Sequence, residues 1–216
     1  MSRELTLFIE QIIEQEIDEV AVSPQRAESS GYALFTEQRG RFTNIVLFNP
    51  AVYGVEYKAS RMNDESLSSY KSILGIMFLE KDKGCKTWRV AGSAAVKGYG
   101  PLVYDVALTE CGSDGLAPDK GMVSASARNV WLYNFTTRKN DFLITKFGPP
   151  CAFTGKRSSS NTEEYLDCKY VLKTPLNLTS LKTQASSALT ELKTRYGGKP
   201  ERDLVELAEM YFATRS

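Results

Sequence analysis

The 216 residues are 42% hydrophobic and 11% aromatic, and 27 basic side chains face 26 acidic ones for a formal charge of +1. So much buriable surface excludes a chain disordered throughout, and the balanced charge offers no electrostatic case for nucleic acid or an anionic membrane. Histidine is absent, which removes imidazole acid–base catalysis, serine–histidine and cysteine–histidine nucleophile pairs, and histidine-bearing zinc sites.

No apolar run reaches 18 residues and no cationic-then-apolar leader opens the chain, so neither a membrane span nor export is expected. Cys85, Cys111, Cys151 and Cys168 form no CxxC pair. Reduced thiols in a cytosolic setting are expected rather than a disulfide framework, and no metal site.

In chain order, residues 2–20 place Leu5, Phe8, Ile9, Ile12, Ile13, Ile17 and Val20 on one stripe with glutamates elsewhere. This pattern predicts an amphipathic helix that packs on a core. Residues 32–36 and 43–48 are short β-branched and aromatic runs around a polar segment, as in a hairpin. Asn49-Pro50 ends the second run, and residues 52–57 read as a further extended piece. Residues 63–70 read as a short polar helix or loop.

Residues 72–79 and 85–96 then predict two neighbouring antiparallel strands joined by the charged tip Glu80-Lys81-Asp82-Lys83-Gly84. Pro101 suits the first turn of a helix whose buried stripe is Leu102, Val103, Val106, Ala107 and Cys111. A short extended stretch is expected around Gly121-Met122-Val123. Ser124 follows as N-cap of a helix carrying Ala127, Val130, Trp131 and Phe135. Phe142-Leu143-Ile144 reads as a last strand.

Residues 148–177 read as a loop or linker between a domain over 1–147 and a C-terminal helical extension over 178–216. The extension has stripes at Leu181, Ala185, Leu189 and Leu192, then Leu204, Leu207, Ala208 and Tyr211, interrupted by Gly197-Gly198 and restarted by Pro200. The expected class is a mixed α/β (α+β) fold, a mostly antiparallel sheet flanked by helices with an appended helical pair.

The stretch that carries chemistry is Val90-Ala91-Gly92-Ser93-Ala94-Ala95-Val96-Lys97-Gly98-Tyr99-Gly100-Pro101-Leu102-Val103-Tyr104. A strand of small residues runs into a Gly-x-Gly turn that opens a helix. Glycines let a ligand approach the backbone, and the first N–H groups of a helix point at negative charge. A tight strand-to-helix connection without ligand uses the same turn chemistry. Tyr99, Tyr104, Trp131 and Tyr133 are candidates to line a cleft, Tyr104 and Trp131 equally for the core.

The order of elements together with this turn resembles the GNAT N-acetyltransferase superfamily from about Tyr32 to Phe147. More narrowly, GYGPLVYDVAL, GLAPDKGMVSASARNVWLYN and TTRKND resemble acetyltransferase-like proteins of tailed bacteriophages. The resemblance implies an acetyl-CoA site in which Gly98 and Gly100 hold the pyrophosphate, with Ser93, Ala94, Lys97, Tyr99, Pro101 and Ser124 around the cofactor. Ala95 stands where that loop carries Gln or Arg, and Lys97 is a candidate substitute cation. Trp131 stands where the family's proton-donating Tyr is found on the next helix, which leaves Tyr133, about 200° further round, as the nearest donor. With no histidine the base is a carboxylate or water; Glu56, Glu80 and Asp119 are candidates, and Glu80 is the one assigned.

The expected activity is acyl-CoA-dependent transfer of an acetyl group to an amine, of a small molecule or a protein. The alternative is a catalytically silent scaffold of the same fold that serves in a virion or binds a host protein. Host cytoplasm, or the virion, is the expected location, and the C-terminal helices offer a surface for an oligomer.

Overall fold

The computed structural model describes residues 21–63, 67, 69–82, 84–118, 123–147 and 161–215. The helix expected over residues 2–20 lies outside them, as do Asp119 and Cys151. Ser23 opens a short helix, α1 (Pro24–Ser29), its hydroxyl accepting from the Arg26 N–H at 3.2 Å. β1 (Ala33–Arg39) and β2 (Phe42–Phe48) then pair antiparallel across a two-residue turn in which Gly40 adopts φ +62°. A positive φ at the first turn position suits the right-handed strand twist and favours glycine.

Residues 52–57 are helical, which corrects the extended reading. The Asn49 side-chain oxygen accepts from the N–H groups of Ala51 and Val52 at 3.1 and 3.3 Å, and Pro50 supplies the first turn of α2 (Pro50–Asn63). Tyr53 and Tyr57, four residues apart, are fully buried on one face. Within six residues a helical stripe of tyrosines imitates alternation, and the cap decides between them. Leu67, Ser69 and Tyr70 have no regular structure.

β3 (Ile73–Asp82) and β4 (Thr87–Ala95) form the expected antiparallel neighbours. Next come α3 (Gly100–Cys111), β5 (Leu116–Ala117), α4 (Ala125–Thr136), β6 (Phe142–Lys146), β7 (Cys168–Leu172), α5 (Thr179–Tyr196) and α6 (Pro200–Ala213). The short strand lies at Leu116–Ala117, not around residue 123; Val123 belongs to no strand, and Gly121 and Met122 are outside the described residues. Gly115, at φ +69°, explains the position. A Cβ there would stand 2.8–2.9 Å from the Lys169 and Val171 side chains and the Tyr170 carbonyl, so only glycine lets β5 approach β7.

The seven strands form one sheet in the order β1-β2-β3-β4-β5-β7-β6, antiparallel except for β4 with β5. This is the mixed, mostly antiparallel class that the sequence predicts. Phe142–Lys146 is not its last strand. The segment read as a linker contains β7, whose Cys168, Tyr170 and Leu172 alternate inward and whose pairing with β6 runs the length of both strands. A five-residue strand embedded in polar, glycine-bearing sequence gives too short a period to stand out.

Strand alternation gives the sheet two apolar faces. Ile45, Leu47, Met77 and Leu79 face α3 and α4, whose Leu102, Val103, Val106 and Trp131 complete that core. Val46, Phe48 and Ile76 face α2, α5 and α6, through Tyr53, Tyr57, Leu189, Leu207 and Tyr211. The C-terminal helices are therefore a structural layer of the sheet, not an appendage. Their stripes are covered within the chain, so the surface expected to serve an oligomer is already occupied. The Tyr53 hydroxyl donates to the Pro200 carbonyl at 2.6 Å, and Tyr57 donates to Gly197 at 2.7 Å, fixing the α5–α6 turn on α2. No helix of the described residues is long and apolar enough to cross a membrane.

Leu207, 1% exposed, is expected to cost about 2–4 kcal/mol on truncation to Ala, as buried leucines do. Denaturant unfolding of Leu207→Ala measures it. A chain ended at Asn177 loses the entire layer and should bind a hydrophobic dye as made, which fluorescence reads directly.

Candidate functional site

β4 has a complete partner in β3, but on its other side it pairs with β5 only at Trp88↔Leu116 and Arg89↔Ala117. β5 ends with that second pair, and two residues further along β4 comes a bulge. Phe78 pairs with Gly92 and Leu79 with Val90, so Ala91 is an extra residue on β4. Such an insertion sharpens twist and re-aims the residues after it. Beyond it, Ser93, Ala94 and Ala95 line a cleft of about 600 Å³, within the range of small-molecule sites. Their side chains are small, and among the described residues this edge of β4 has no strand partner.

Two helices begin at this cleft. α4 is capped by Ser124, whose hydroxyl accepts from the Ala127 N–H at 3.3 Å, and Ser124, Ser126 and Asn129 all line the cleft. α3 starts at Gly100 with no side-chain cap. Among the described residues no acceptor takes the N–H of Gly98 or Gly100. The Gly98 carbonyl instead accepts from the Val22 N–H at 2.9 Å, which ties the turn to the segment before α1. Gly98 adopts φ +89°, whereas a Cβ on Gly100 would meet nothing within 4 Å. Backbone donors left without an acceptor at and just before a helix start are of the kind that can receive an anion.

Of the expected site residues, Ser93, Ala94, Lys97, Gly98, Gly100, Pro101 and Ser124 come together in this cleft. Tyr99 does not line it; its ring packs edge-on against Tyr32 at 5.8 Å, and burial with the Tyr32 neighbour pushes its hydroxyl up to about 12.

The two catalytic candidates, Tyr133 and Glu80, do not line this cleft. Tyr133 is buried on α4, turned away from Trp131 by its place on the helix. Glu80 accepts from Arg41 at 3.0 Å and from Arg89, its cross-strand partner. Glu56 is held by the Ser69 and Ser72 hydroxyls at 2.7 Å each. No carboxylate lines the cleft among the described residues; its charged side chains there are Lys97 and Arg215. Nor do these residues gather Cys, Asp and Glu side chains into a metal-holding group.

Tyr104 takes the place that Tyr133 does not fill. It lines the cleft at 4% exposure, and its hydroxyl lies 3.2 Å from the Ser93 Oγ. Burial pushes it up to about 12, while the Ser93 hydrogen bond pulls the other way, so it stays protonated at neutral pH. Its ring packs edge-on against Trp131 at 5.3 Å. Helical spacing makes Tyr104 readable as core or cleft, and it is both. The 3–4 spacing of Ser126, Asn129 and Val130 was a legible sign of a shared helix face, whereas nothing in the sequence marks Arg215.

The chain matches no family model, no curated protein and no solved structure, so its own geometry has to carry the functional reading.

The two glycines are expected to respond differently to alanine. Gly98→Ala forces a side chain into a left-handed conformation and should cost about 1–2 kcal/mol. Gly100→Ala should stay within about 0.5 kcal/mol of the parent. Thermal melting compares them.

Proposed function

We propose that the cleft binds an acyl-CoA and that the protein transfers its acyl group, acetyl in the simplest case, to an amine. The observation that carries this reading is one convergence. Among the described residues β4 has no partner on its β5 side beyond Arg89, and it leads straight into the Gly98 and Gly100 N–H groups, which no described acceptor takes. An extended ligand with amide groups and a pyrophosphate matches that sequence of features. Its amides pair with an unpaired edge as a strand would, and its anionic end meets a helix start. The resemblance to the GNAT superfamily supports the same reading. Ala95 leaves the loop without the Gln or Arg of that superfamily, and Lys97 supplies a positive charge nearby.

The bound thioester supplies an activated acyl carbon and a leaving thiol. The chain's part is to hold it extended, exclude competing water and deliver a proton. In the transfer the acceptor nitrogen bonds to the acyl carbon, the carbon–sulfur bond breaks, the departing sulfur takes the Tyr104 proton, and the nitrogen's proton goes to water. Tyr104 is the proton donor because it is the buried hydroxyl in the cleft, with Ser93 fixing its direction. Water later restores its proton. With no histidine in the chain and no carboxylate in the described lining, the amine reacts in its neutral form.

Calorimetric titration with acetyl-CoA tests the binding. Gly100→Val places a branched side chain in the cradle and should weaken affinity at least about tenfold, equivalent to 1.4 kcal/mol, with melting close to the parent. Tyr104→Phe keeps the packing on Trp131 and should leave CoA affinity unchanged while lowering kcat by about a hundredfold. A parent chain that binds no CoA at millimolar concentration refutes the enzyme and leaves the silent scaffold as the reading.

A further inference from the structure

The cleft is bordered by residues from both faces of the sheet. The Gly98–Gly100 turn, α3 and the start of α4 border it on one face, and Arg215, just beyond α6, borders it from the other. The Arg215 side is built by packing: Phe212 sits on Gly92, where a Cβ would come within 2.8 Å of its ring, and meets the Phe78 ring edge-on at 5.3 Å. The Arg215 N–H donates to the Phe212 carbonyl at 2.9 Å, and its guanidinium stands 5.7 Å from the Tyr211 ring. Among the described residues no carboxylate pairs with Arg215, although Arg41, Arg61, Arg89, Arg138, Arg195 and Arg202 each have one.

We propose that the acceptor is a small amine carrying its own anionic group, a carboxylate or a phosphate, which the Arg215 guanidinium holds on the α6 side of the cleft. This rests on the acyltransferase reading. Lys97 adjoins the turn assigned to the pyrophosphate, so Arg215 is the cation left for the second ligand. A guanidinium fork recognises either anion through paired N–H groups. A polyamine finds only like charges and helix starts in the described lining, and no counter-ion. The same positive surroundings favour the neutral form of the reacting amine, which a described lining without a carboxylate calls for.

Matched probes test the proposal on the full chain. β-Alanine and phosphoethanolamine carry the two anions; β-alaninamide and ethanolamine lack them; spermidine is polycationic. Each is titrated calorimetrically into CoA-saturated protein, and turnover with acetyl-CoA is followed by thiol release. An anionic amine should be preferred at least about tenfold over its uncharged counterpart, the scale of one charge-assisted hydrogen bond. Arg215→Glu should abolish that preference while leaving CoA affinity unchanged. Whichever of the two anionic probes is favoured identifies the anion. Equal or better use of spermidine or the uncharged amines overturns the proposal, as does a CoA-binding chain that accepts none of the probes. So does a loss of CoA affinity in Arg215→Glu, which would place the guanidinium on the donor side. Failure of the parent to bind CoA refutes instead the reading on which the proposal rests.

Discussion

The short pairing of β4 with β5 is the constraint on which the rest of this molecule depends. A parallel pair held by two register positions needs reinforcement from elsewhere, and two devices provide it. Gly115 brings β5 close to β7, and its carbonyl accepts from the Trp88 N–H at 3.0 Å and the Thr87 hydroxyl at 3.1 Å. These contacts pin the start of β4 to the far half of the sheet. The Ala91 bulge follows, and such an insertion re-aims the residues after it. Among the described residues the seam is paired at one end and unpaired at the other.

Beneath the opening, aromatic packing keeps the two halves in register. Tyr104 on α3 meets Trp131 on α4 edge-on, Trp131 lies 4.9 Å from Tyr170 on β7, and Tyr170 meets Phe142 on β6 edge-on at 5.9 Å. Each ring comes from a different element, so the chain of contacts spans the elements on either side of the seam. Trp131 is 1% exposed, and its place at the centre of this row explains why it offers no chemistry to the cleft. The Tyr104 hydroxyl stands at the cleft end of the row, where a rigid ring stack fixes the position of a polar group.

How much of this was legible follows from the range over which each signal acts. The hairpins, the Pro101 helix and the Ser124 cap are written in contiguous residues, and the sequence predicts them. The turn was also local, because a Gly-x-Gly turn after a small-residue strand needs no distant partner to be recognised. Residues 52–57 misled because two tyrosines one turn apart resemble alternation until the Asn49 cap is considered. β7 was hidden because its partners, β5 and β6, are set by Gly115 and by strand order rather than by its own five residues. Glu80 resembled a free carboxylate at a strand end, but cross-strand register supplies it with Arg89. Arg215 reaches the cleft only because Phe212 packs over Gly92, a contact between positions too far apart for any periodicity to record.

On the acyl-transfer reading, the composition and the cleft agree about how protons are handled. A protein without histidine lacks the one side chain whose unperturbed pKa lets it both take and give a proton near neutral pH. Its strong carboxylate pairings lie elsewhere: Glu80 is engaged by two arginines, and Asp105 is held by Arg138 at 2.9 Å beneath α3. What the described lining offers is a buried hydroxyl, two cations and unpartnered backbone donors. Such a set stabilises negative charge as it develops and gives a proton to a leaving group, but it does not remove one from a nucleophile. The burden of deprotonation therefore falls on the acceptor itself, whose protonated form the positive surroundings disfavour. On this reading the described lining's lack of a carboxylate and its two cations are two aspects of one arrangement, in which electrostatic selection of a neutral amine stands in for general-base catalysis.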